Sequence, residues 1–105
     1  MSEQIYDEQI APKLLELARI CNTHGMPFLA TVEYAPGDYG TTADMPADRS
    51  LPMDWAYVAA RSRGNADTLI MHMMRQAEER GHGSICLKML GVAVAPAASG
   101  VEVEG

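Results

Sequence analysis

The most complete hydrophobic pattern in the chain lies at residues 65–81, NADTLIMHMMRQAEERG. Ala66, Leu69, Ile70, Met73, Met74 and Ala77 recur at three- and four-residue steps, which predicts one apolar arc of a helix. Thr68, His72, Arg75 and Glu79 fall on the opposite, solvated face. Asn65 is placed to cap this helix, Asp67 to meet the positive end of its dipole, and Gly81 to stop it in a left-handed turn. Residues 3–24 carry a second stripe, Ile10, Leu14, Leu17, Ala18 and Cys21, widened by Leu15 and Ile20. Pro12 interrupts it. A proline has no N–H to donate and its ring meets the carbonyl of Glu8, so the helix either kinks at this point or begins there. Gly25 and Pro27 mark its end.

From Phe28 to Tyr34 the period changes to two. Phe28, Ala30, Val32 and Tyr34 point one way and Leu29, Thr31 and Glu33 the other, the pattern of a strand with one buried face. Residues 35–50, APGDYGTTADMPADRS, have no period and read as a loop. Ser50 opens a further helix with Pro52 in its first turn, Asp54 beside its N-terminal dipole, and Leu51, Trp55, Val58, Ala59 and Ser62 along its inner stripe. Gly64 closes it. Alternation returns at residues 84–90, SICLKML, with Ile85, Leu87 and Met89 against Cys86, Lys88 and Leu90, and Gly91 as a bulge before Val92, Ala93 and Val94. The expected fold is α+β, in the order α-β-α-α-β: three helices packed on a small sheet over residues 1–94, then a flexible acidic tail over 95–105. Two strands joined through helices are parallel neighbours. A lone pair of strands is marginal in water, so a homodimer mate is expected to complete the sheet.

Charge and length narrow the function classes. A chain of 105 residues has room for one core. Its net charge is −6, with eight acids against three bases in residues 1–50 and six against five in residues 51–105. Neither half is basic, which argues against a nucleic-acid partner. The apolar runs are too short to span a bilayer and the acidic start is not a secretory signal, so the expectation is cytoplasmic residence without a membrane partner.

The candidate chemistry is sparse. Cys21-x-x-His24 and His82-x-x-x-Cys86 have spacings that zinc sites use. Cys21 lies on the apolar stripe, however, and no C-x-x-C knuckle is present; no metal and no cofactor are expected, with the set Cys21, His24, His82 and Cys86 as the alternative. There is no G-x-S-x-G, H-E-x-x-H, P-loop or G-x-G-x-x-G, and no catalytic residue is assigned. Ala60, Gly64, Ile70 and Met73 have helix-turn-helix spacing, but the recognition helix would open with Ala66, Asp67, Thr68 and Met71, leaving only Arg61 and Arg63 for phosphates. The residues with recognition chemistry are Asp38, Tyr39, Thr41, Thr42 and Asp44 in the 35–50 stretch, together with Met71, which lies outside the main helical arc and suits a soft contact surface.

Two stretches, HGMPFLATVEYAPG at 24–37 and RGNADTLIMHMMRQAEERGHGS at 63–84, resemble small uncharacterised proteins encoded by bacteriophages and prophages. The resemblance implies a cytoplasmic accessory protein that binds a host or phage component, and it carries over no catalytic residue. The reading that follows is a noncatalytic interaction or regulatory protein with an unidentified protein partner. A small enzyme or ligand-binding domain using the 35–50 stretch is the alternative, and a DNA-binding helix-turn-helix protein is third.

Overall fold

The computed structural model describes residues 2–96, and the chain divides into two compact units, Met1–Arg63 and Gly64–Gly105. As expected, helix and sheet are mixed. The first unit opens with α1 (Ser2–Ile5), a π-helical turn (Tyr6–Ile10) and α2 (Ala11–Thr23), running on without a break. α2 begins beside Pro12, as the second alternative has it, with the proline in its first turn. The turn directly before it widens, and the Ala11 N–H reaches back to the Tyr6 carbonyl. This wide turn also sets the phase of the helix. On an unbroken α-helix Tyr6, twelve positions before Ala18, would lie about 120° away from it; the additional residue taken up by the π-turn reduces this to about 20°. Both side chains are buried.

What they are buried against is a hairpin. Strands β1 (Phe28–Ala35) and β2 (Asp38–Asp44) pair antiparallel, with Phe28 opposite Asp44 at one end and Ala35 opposite Asp38 at the other. Pro36 and Gly37, the latter at φ 81°, make the turn, and the Gly37 N–H donates to the Glu33 carboxylate at 2.9 Å. A bulge between Glu33 and Ala35 takes up the twist that such a turn imposes on the strands. The expectation of a loop over 35–50 is therefore corrected: its first half is a strand. DYGTTAD shows no apolar alternation because the position facing Tyr6 is Gly40, where any Cβ would collide with the tyrosine ring. Tyr6 also stacks on Tyr34, with ring centroids 5.3 Å apart.

Helix α3 (Leu51–Ser62) completes this unit and ends in left-handed Arg63, φ 54°. Its stripe differs from the expected one. Trp55, Val58 and Ser62 are half-buried, Leu51 and Ala59 are exposed, and the buried residue is Asp54.

In the second unit, α4 (Ala66–Arg80) has the expected cap and stop: the Asn65 side chain accepts the Thr68 N–H at 3.3 Å and Gly81 sits at φ 80°. Ala77 is buried, but Ile70 is exposed, and His72, expected on the solvated face, is half-buried. The strand expected at 84–90 is a helix, α5 (Ile85–Met89). Ser84 accepts the Leu87 N–H at 3.1 Å and Gly91, φ 93°, ends the turn; a cap and a stop outweigh seven residues of alternation. Val92 and Val94 form no strand. The Val92 N–H donates to the Leu87 carbonyl at 2.9 Å and Val94 accepts the His82 N–H at 2.9 Å, which buries Val92. The sheet expected from 28–34 and 84–90 as a parallel pair is thus an antiparallel hairpin within the first unit. The expected tail lies, from residue 97 onward, outside the described residues.

Candidate functional site

The residues singled out in the 35–50 stretch, Asp38, Tyr39, Thr41, Thr42 and Asp44, all lie on β2. Successive side chains of a strand point to opposite faces, so Tyr39 and Thr41 share one face while Asp38, Thr42 and Asp44 share the other. The Thr41 hydroxyl meets that of Thr31 across the ladder at 3.1 Å. Among the described residues, no backbone hydrogen bond joins β1 or β2 to anything but each other, so the outer edge of β2 is open.

A recess lies on each side of this strand. One, of about 390 Å³, is bounded by Leu15, Ala18, Arg19 and neighbouring residues of α2 and by Thr42, Ala43 and Asp44. The other, of about 440 Å³, is lined by Tyr39, Thr41, Ala60, Arg61 and Arg63. It is the more polar of the two, with two guanidinium groups, two hydroxyls and no carboxylate in its lining.

A chain of side chains positions Arg61 at the second recess. Arg49 donates from Nε at 2.8 Å and Nη2 at 2.6 Å to Asp54 Oδ1, and from Nη1 to the Pro46 carbonyl at 3.1 Å. Its guanidinium lies 5.5 Å from the Tyr57 ring centroid, and that of Arg61 lies 5.3 Å from the same centroid. Arg61 Nη1 also donates to the Tyr57 hydroxyl at 2.9 Å. Sequence reasoning found Arg61 and Arg63 only as phosphate contacts of a helix-turn-helix, and it missed the Asp54–Arg49–Tyr57 support. The position of Asp54 in the first turn of a helix had a sufficient ordinary explanation in the dipole.

On the other face of the hairpin, the hydroxyl of Tyr34 is pushed above the usual phenol range. Burial is the main cause, followed by the carboxylates of Glu3, Asp38 and Asp7 and by Tyr6.

The four residues of the alternative zinc set divide between the units, Cys21 and His24 in the first, His82 and Cys86 in the second. Both ring nitrogens of His82 are engaged: Nδ1 accepts the Ser84 N–H at 2.9 Å, which places the ring proton on Nε2, 3.0 Å from the Val92 carbonyl. Among the described residues, no three His, Cys, Asp or Glu side chains gather to hold a metal ion. Met71 is exposed on α4, as is its neighbour Ile70. No described helix is long and apolar enough to cross a membrane.

Comparison with family models, with curated proteins and with solved structures finds no match to this chain. Its function therefore rests on the geometry of the strand and its two recesses.

Proposed function

We propose that the chain is a noncatalytic interaction protein and that the outer edge of β2 is its docking surface. The observation that carries this reading is an open strand edge with a side-chain recess on either face. An added strand would gain main-chain hydrogen bonds from the edge and place alternate side chains in the two recesses. A two-stranded sheet is also short of partners, and further strands stabilise it. The simplest partner is a second copy, with β2 pairing to β2 about a two-fold axis to make a four-stranded sheet.

Sedimentation equilibrium at high micromolar concentration tests this. The expected result is a dimer that Ala43→Lys converts to a monomer with unchanged circular dichroism, since Ala43 is exposed on β2 and an edge lysine blocks strand addition. A monomeric wild type would overturn self-association. A second reading, a ligand-binding domain using the same stretch, is supported by the polar recess at Tyr39 and Thr41.

A further inference from the structure

We infer that the recess between Tyr39 and Thr41 of β2 and the C-terminal end of α3 binds a phosphoryl group of a small molecule, with Arg61 and Arg63 as its cationic partners. The two arginines differ in how they are held, and each difference points to a ligand. Arg61 is fixed by the Tyr57 hydroxyl and ring, which in turn lie against the Arg49 that Asp54 holds. A guanidinium carries five N–H donors, and the bond to Tyr57 uses one of them. Arg61 is thus preorganised with most of its donors unspent.

Arg63 is the opposite case. Among the described residues it makes no hydrogen bond or ion pair, and it is the only residue other than glycine with a positive φ. Gly64 follows it at φ 83°, so the end of α3 takes two left-handed residues in succession. Glycine would hold position 63 without strain. An arginine there keeps a strained backbone to present its guanidinium, the type of outlier that marks ligand clamps.

The chemistry of the lining selects the ligand. Two guanidiniums match a dianion, and with the Tyr39 and Thr41 hydroxyls they offer donors from several directions, which suits a tetrahedral oxyanion. The nearest acid across the ladder is Glu33, opposite Tyr39, and its carboxylate is turned to the Gly37 N–H. A volume of about 440 Å³ holds a phosphoryl group with part of the molecule that carries it. A polynucleotide fits less well, because a chain of net charge −6 with two cations at the recess gains little from counterion release. The site rests on the second, ligand-binding reading of this stretch and is separable from the edge reading, since Ala43, the residue chosen to block the edge, lines the other recess.

The test is a titration of the ¹⁵N-labelled protein with inorganic pyrophosphate, followed by amide shifts, with sodium chloride at matched ionic strength as control. Saturable shifts confined to residues 39–41 and 60–64 are expected. They should persist in Ala43→Lys and in Arg80→Ala, and weaken about tenfold in Arg63→Gly. Arg63→Gly removes the side chain and the strain together, so it folds at least as well as the wild type. Shifts reproduced by chloride, or left unchanged by Arg63→Gly, would overturn the assignment.

Discussion

Tyr6 rests against Gly40 at a point where a Cβ would overlap the ring atoms. The glycine is required by space, not by conformation, because its backbone lies outside the left-handed region. Gly40→Ala should therefore push the ring aside or bend the hairpin, and lower stability by about 1–3 kcal/mol in urea unfolding. Shortening the intruder should offset part of this, so Tyr6→Leu combined with Gly40→Ala should cost less than the sum of the two single changes.

Removing Arg49 leaves the buried Asp54 carboxylate without its ion pair. Arg49 retains some solvent exposure, which places the pair between the surface and the buried regimes, and Arg49→Ala should cost about 2 kcal/mol. The double variant Arg49→Met/Asp54→Leu should be more stable than Arg49→Ala, because it removes the buried charge together with the guanidinium that offsets it. Chemical denaturation of the three proteins decides the matter.

Arg63→Gly trades in the other direction. Relief of a left-handed non-glycine residue is worth about 1–2 kcal/mol, and the looser unfolded chain takes back about 0.4–1 kcal/mol. A net gain of about 0.5 kcal/mol is expected, read as a small rise in the urea midpoint. A protein stabilised by losing a side chain from a recess is one in which that side chain is retained for binding.

Alkaline titration reports on Tyr34. Its folded-state value is raised, so the folded state holds the proton more tightly than the unfolded chain. The associated stability is fully present below the ordinary phenol range and is lost as pH rises through the raised value. Unfolding midpoints measured from neutral pH to above pH 10 should fall in the wild type and fall less steeply in Tyr34→Phe.

How much of this was legible in the sequence depends on where the signal resides. Helix α4 could be read from cap to stop because Asn65 and Gly81 act locally, through one side-chain bond and one backbone conformation. Strand β1 could be read because from Ala30 to Tyr34 its alternation is its burial pattern, with Thr31 and Glu33 exposed and Ala30, Val32 and Tyr34 half-buried. Strand β2 could not, since Gly40 faces the tyrosine and threonines fill the positions around it, leaving no apolar period. Residues 84–90 misled for the converse reason: alternation was present, but the Ser84 cap and the Gly91 stop are stronger over so short a span. Asp38, Tyr39, Thr41, Thr42 and Asp44 are legible as donors and acceptors whatever element carries them. Arg61 and Arg63 join them only through the approach of α3 to the hairpin, which no spacing along the chain encodes.

The wide turn ahead of Pro12 lets the N-terminal stretch lose a residue without losing its register. The turn holds one residue more than even winding would, so deleting any one of residues 7–10 lets the helix revert to even winding with Tyr6 still about 20° from Ala18. The ring would stay on Gly40 and Tyr34 would keep its stacked neighbour. Adding a residue there would instead swing everything before it by about 100° and open one face of the hairpin to water. In-frame loss of a single codon in this short window should therefore be less damaging than the gain of one.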